Sequence, residues 1–148
     1  MNEAVYKLIL THEELQSVLK LRAQAAARGL SCKIDPRTNS GILCSRDGVL
    51  TGFMTVDCFG GNDIESAAIT AGTADWDCMK TVLTDYAREQ NAEQILFICD
   101  PADTIVSKRL ESLGLKPSFS EYRMVFDAAL FSPVILHDIS LKKALPSD

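Results

Sequence analysis

Ile64-Glu65-Ser66-Ala67-Ala68-Ile69-Thr70-Ala71-Gly72-Thr73-Ala74-Asp75-Trp76-Asp77-Cys78-Met79-Lys80-Thr81-Val82-Leu83 decides how this chain folds: an apolar strand runs through a short loop straight into an amphipathic helix. A helix opening just after a strand is a natural anion site, because its first N–H groups lack partners and its dipole favours negative charge. At this junction stand Asp75 and Asp77, carboxylates expected to cap the helix themselves, since Asp is among the commonest caps. The layout suits a phosphate, and the residues argue against one.

Upstream, Ile42–Ser45 and Val49–Cys58 flank Asp47-Gly48, a dipeptide that suits a tight hairpin needing positive φ. A second turn, Phe59-Gly60-Gly61-Asn62-Asp63, leads into Ile64–Thr70, so an antiparallel meander is expected, with Gly52 marking a bulge. Further back, Val5–Leu10 reads as a strand. Thr11 and Glu14 then form a capping box for a helix with Leu15, Val18, Leu19, Ala25 and Ala26 on one face and Gly29 at its end. Ser31–Gly41 reads as loop.

Downstream, Trp76, Met79, Val82, Leu83, Tyr86 and Ala87 share one stripe of a helix from about Trp76 to Glu89, which should pack on a sheet. Gln94–Cys99 is continuously apolar, typical of a strand buried on both faces and reached by a parallel crossover. Asp100-Pro101-Ala102-Asp103 offers an N-cap, a proline at the first helical position and an acidic first turn. The helix that follows turns Val106, Leu110 and Leu113 inward and stops at Gly114, with Leu115 set for a Schellman cap. Phe119–Phe126 returns to a strand pattern.

The 148 residues, 47% hydrophobic and 24% charged, suit one soluble domain with a sizeable core. A net charge of −5 without clustered Lys and Arg excludes a broad nucleic-acid or anionic-membrane surface, and no apolar run is long enough to span a bilayer. A cytoplasmic protein is the expectation. Cys32, Cys44, Cys58, Cys78 and Cys99 have neither metal-ligand nor disulfide spacing and read as buried reduced thiols. A nucleophilic pair of Cys99 with His137 is disfavoured, because Asp100 raises the thiol pKa. Trp76, Phe53, Met54 and Phe59 read as core before they read as the lining of an apolar cleft.

The order β-α-β-β-β-α-β-α-β, with Leu113-Gly114-Leu115 before the last strand, resembles the GCN5-related N-acetyltransferase (GNAT) superfamily over residues 4–127. The resemblance implies an α/β (α+β) fold with a mixed, mostly antiparallel twisted sheet and helices on both faces. It also implies acetyl-CoA as cofactor, held by the backbone of Ile69, Thr70, Ala71 and Gly72 and by a loop Gln/Arg-x-x-Gly-x-Gly/Ala. That loop's Gln/Arg falls at Ala74, its first glycine at Asp77 and its last small residue at Met79, so all three defining positions are altered.

Glycines in such a loop let the backbone close on phosphate oxygens, and the side chains of Cys78 and Met79 are expected to fill that space. Asp75 and Asp77 are expected to gain about 0.3–1 kcal/mol each from the dipole that would otherwise attract pyrophosphate. The family's general-acid tyrosine falls at Leu110, and the asparagine that often precedes it at Asp103. Asp63 and Glu65 stand where the family often places a general base, although Asp63 also reads as a turn residue and Glu65 as a solvent-facing one.

After Asp127 the composition shifts. Residues 128–148 read either as a last strand or as a linker and the opening of a second similar domain, on the phrase Ile139-Ser140-Leu141-Lys142-Lys143-Ala144. Two functions follow. One is a GNAT-like structural or ligand-sensing module with weakened or lost acetyl-CoA binding, working beside a second such domain or as a homodimer. The other is a divergent but active N-acetyltransferase on a small amine, with Asp63 or Glu65 as base.

Overall fold

The computed structural model describes residues 1–30, 39–59, 61–115 and 117. The expected strand Phe119–Phe126, the tail from Ala128 onward and most of the loop Ser31–Gly41 lie outside them. Residues Met1–Lys116 form one compact unit. Its elements in chain order are β1 (Asn2–Lys7), α1 (His12–Ala27), β2 (Gly41–Arg46), β3 (Val49–Met54), β4 (Asp57–Phe59), β5 (Asp63–Thr70), α2 (Thr73–Glu89), β6 (Gln94–Ile98) and α3 (Thr104–Ser112).

The hairpin forms as expected, with Asp47 and Gly48 both at positive φ (53° and 79°). The pairing of β2 with β3 slips between Cys44 and Ser45: Cys44 faces Gly52, Ser45 faces Leu50, and Thr51 is the extra residue of a bulge. The expected strand Val49–Cys58 is instead two strands, broken at Thr55-Val56. Ala67 N–H donates to the Thr55 hydroxyl (2.8 Å) where a ladder carbonyl would stand, so a local side chain competes with the sheet. Register is kept across the break, with Met54 opposite Ala68 and Asp57 opposite Glu65.

The first strand ends at Lys7 rather than Leu10: its ladder with β2 stops at the Lys7–Gly41 pair, and beyond it Leu10 N–H donates to Asn39 C=O (2.6 Å). Leu8 and Ile9 are consequently exposed. Thr11 and Glu14 form the expected capping box, Thr11 N–H donating to the Glu14 carboxylate (2.8 Å) and Glu14 N–H to the Thr11 hydroxyl (3.2 Å). Of the apolar face assigned to α1, Val18 and Ala25 are buried while Ala26 is exposed.

The strands β1, β2, β3 and β5 are neighbours in that order and antiparallel, β4 continues the line of β3 along the same edge of β5, and β6 lies parallel to β5 on its other edge. The two faces carry separate cores. Ile42, Cys44, Met54 and Ile64 meet Trp76, Met79, Leu83 and Ala87 of α2 and Val106 of α3. Leu43, Phe53 and Ile69, of opposite parity, meet Val18 and Ala25 of α1. Trp76 and Phe53 are thus core residues, Trp76 lying against Phe97 with ring centroids 5.9 Å apart. In β6 Gln94 is exposed and the residues from Ile95 to Ile98 are half-buried rather than enclosed on both faces.

In α3 the cap is Asp103, whose carboxylate accepts from Val106 N–H, whereas Asp100 and Pro101 form the turn before it. The C-terminus closes as a Schellman motif, Leu115 N–H donating to Leu110 C=O and Gly114 N–H to Glu111 C=O. Leu113, expected inside, is exposed.

Candidate functional site

Strand β6 accompanies β5 only from Asp63 to Ala67, and Ala68–Thr70 continue with β3 on one side and no described strand on the other. The α2 start follows directly after this stretch. Thr70 arranges the turn, its hydroxyl accepting from Gly72 N–H (3.2 Å) and donating to Gly72 C=O (2.7 Å), while Ala71 N–H donates to Thr51 C=O (3.1 Å). Gly72 is the N-cap and carries no side-chain acceptor. Among the described residues, no side chain caps the first-turn N–H groups of Thr73, Ala74 and Asp75, and both Thr73 and Ala74 are exposed.

The expectation that Asp75 and Asp77 cap this helix is therefore corrected. Asp75 is the third helical residue, one turn before Met79 on the stripe that faces the sheet, and it is fully buried. Its Oδ1 accepts from the Thr51 hydroxyl (3.1 Å) and the Arg46 guanidinium (3.4 Å), and the Cys44 thiol lies 3.8 Å away. The bulge at Thr51 aims that hydroxyl at the carboxylate. Asp77 lies beyond capping reach and pairs with Arg109 of α3.

Met79 and Cys78 do not fill the space at the helix mouth either. Met79 is fully buried above Gly52, where a Cβ would come within 2.9 Å of the Met79 methyl, and the Cys78 thiol points towards Asn2 C=O (3.8 Å). Both side chains follow the helix stripe to the sheet, away from the exposed first turn.

Among the other expected positions, Ile69 and Thr70 are buried, Ala71 is exposed and Gly72 half-exposed. Asp63 and Glu65 are half-buried near the start of β5, on the parity of Ile69, within the stretch paired to β6. Asp63 accepts from the Gln94 side-chain amide (2.9 Å). Leu110, where the resemblance places the proton donor, packs against the α2-side core, and Asp103 is occupied as a cap. A cavity of about 390 Å³ opens on the α1 side of the Ile69–Ala71 segment, with Leu21, Gln24 and Arg28 on its other wall.

Burial pushes the Cys44 thiol up to about 11, helped by the charge of Asp75 and by Cys78. Cys99 also rises to about 11, from burial first and then the charges of Asp103 and Asp100, which leaves it a poor nucleophile. Among the described residues no group of three or more His, Cys, Asp or Glu is placed to hold a metal, and no helix is long and apolar enough to cross a membrane. Sequence reasoning missed Arg46, Thr51 and Arg109; the partners Arg46–Asp75 and Arg109–Asp77 lie 29 and 32 residues apart, so no local spacing signals them.

No protein-family model and no curated protein sequence matches the chain. Solved structures do. The chain is similar to a ribosomal-protein-alanine N-acetyltransferase from Brucella melitensis biovar Abortus 2308, with a TM-score of 0.64 at 17% identity, over 85% of this chain and 100% of that one. An N-acetyltransferase from Staphylococcus aureus Mu50 matches with a TM-score of 0.62 at 14% identity, over 79% of this chain and 86% of that one. The aminoglycoside N-acetyltransferase AAC(6')-Iy, solved in complex with CoA, matches with a TM-score of 0.53 at 14% identity, over 86% and 93%. The chain has the GNAT acetyltransferase fold.

Proposed function

We propose that the chain is a ligand-binding module of GNAT fold that holds acetyl-CoA more weakly than a full acetyl-CoA loop would and does not transfer the acetyl group. The observation that carries this reading is Leu110: Val106 and Leu110 of α3 are both in apolar packing, so among the described residues no proton donor stands at the position where the resemblance implies one for a departing thiolate. Binding is supported by the first-turn amides of Thr73 and Ala74, which no side chain caps among the described residues and which suit a diphosphate. The altered loop positions Ala74, Asp77 and Met79 offer no glycine for close backbone approach, which supports weaker binding. Such a module belongs in the cytoplasm, where its thiols stay reduced, next to an active copy of the fold or to a second copy of itself.

A second reading is an active N-acetyltransferase, favoured by the half-buried carboxylates of Asp63 and Glu65 on the α1 side of β5. The two readings separate in a thiol-release assay with acetyl-CoA and a panel of small amines. Amine-dependent thiol release that disappears in Asp63→Ala or Glu65→Ala supports the transferase; binding without amine-dependent release supports the module.

A further inference from the structure

Strand β1 stands at the end of the sheet, and among the described residues it pairs with β2 alone. Its two faces differ. Ala4 and Tyr6 pack against the core under α2, while Glu3, Val5 and Lys7, of opposite parity, lie on the other face. There Glu3 is exposed, Val5 is 47% exposed and the Lys7 side chain is 40% exposed. An open valine thus has an acid two residues before it and a base two residues after it.

That spacing is self-complementary. A second copy that continues the sheet antiparallel across this edge does so about a two-fold axis perpendicular to the sheet. Each face then stays on its own side, and residues opposite one another have the same parity. The register centred on Val5 sets Val5 against itself and Glu3 against Lys7 at both ends, while Ala4 meets Tyr6 on the other face. Moving the centre to Ala4 sets Glu3 against Val5, and moving it to Tyr6 sets Lys7 against Val5, so either shift loses both charge pairs.

Charges on an edge strand ordinarily discourage pairing, whereas this order of charges is joined by pairing with itself. Lys7 Nζ already meets the Glu14 carboxylate (3.0 Å), and an ammonium with three donors can hold a second carboxylate as well. The exposed apolar residues Leu8 and Ile9 follow the strand directly and so fall at the two ends of such a ladder.

We infer that the outer edge of β1 is an interface between two copies of this chain, closed by two Glu3–Lys7 ion pairs about a central Val5 contact. The inference rests on that part of the proposed reading which sets the module beside a second copy of itself, and it is independent of acetyl-CoA binding.

The test is sedimentation of the full chain without ligand at low ionic strength, from about 1 μM to about 1 mM, with the thermal midpoint of each variant recorded to show that it folds. The natural chain should pass from monomer to dimer as concentration rises, less readily in high salt. Glu3→Lys and Lys7→Glu each set like charges together at both pairs, and each should weaken self-association about tenfold; Val5→Asp, which brings two like charges together at the axis, should weaken it at least as much. Mixed in equal amounts, Glu3→Lys chains and Lys7→Glu chains should pair with one another more tightly than either pairs with itself, because every ion pair is then restored. A monomer at every concentration overturns the inference, as does a dimer that Glu3→Lys and Val5→Asp leave intact, or folded charge variants that do not pair when mixed. Each of these failures leaves the ligand-binding reading standing, since that reading is decided by titration with acetyl-CoA.

Discussion

Gly52 and Met79 divide one space between β3 and α2: a Cβ on residue 52 would lie 2.9 Å from the Met79 methyl and 3.3 Å from its sulfur. Met79 is fully buried, and the sheet makes room for it through a glycine.

Gly52→Ala should therefore cost about 1–2 kcal/mol, the overpacking being softened because the methyl is the mobile end of a long side chain. Met79→Ala should cost about 2–5 kcal/mol through the cavity it leaves. The two should be strongly non-additive in urea unfolding, Gly52→Ala being neutral or stabilising once Met79 is shortened. Additive costs would show that the two residues do not compete for space.

The buried carboxylate of Asp75 depends on Arg46 and Thr51. Arg46→Ala leaves that charge buried without its cation and should destabilise by about 2–3 kcal/mol, below the figure for a fully buried pair because the Arg46 side chain is half exposed. Thr51→Val should cost about 1 kcal/mol through a lost hydrogen bond. Thermal unfolding of each variant checks both.

Glu14 is held below the usual carboxylate range of 4.5, chiefly by the backbone N–H of Thr11 and then by Lys7. A folded pKa below the unfolded one means that Glu14 contributes stability above the unfolded value and loses it as pH falls through the folded one. Glu14→Gln keeps a capping hydrogen bond but not the charge, so the natural chain should be the more stable at neutral pH and the gap should close as the pH falls from 4.5 through the lower folded value. Chemical denaturation across that range reads it directly.

Thiol reactivity should follow burial. In a Cys32→Ser background at about pH 8, Cys58, which is exposed, should alkylate first, while Cys44 and Cys99, each pushed up to about 11, present roughly one thiolate in a thousand and should label far more slowly. Mass spectrometry of partially labelled protein gives the order, and a Cys99 as fast as Cys58 would revive it as a nucleophile.

Local chemistry was legible in the sequence. Asp47-Gly48 fixed its hairpin, Thr11 and Glu14 their capping box, Gly114 and Leu115 their helix end, and the 3.6-residue stripe from Trp76 to Ala87 its sheet-facing side. The bulge beside Gly52 also lay where a strand glycine suggests one. What stayed hidden depends on distant partners. The break at Thr55 arises because a hydroxyl takes the amide of Ala67 from the neighbouring strand, and Asp75 and Asp77 leave the helix mouth because arginines far along the chain receive them. Two acids at a helix start read as caps until the sheet below and the helix beside them are in place.

The most direct test of the account is a calorimetric titration of the full chain with acetyl-CoA, run with a parallel measurement of thiol release in the presence of small amines. The account predicts saturable binding in the high-micromolar range, weakened by added salt, and no amine-dependent thiol. Silence at millimolar acetyl-CoA, or turnover that depends on the amine, would contradict it.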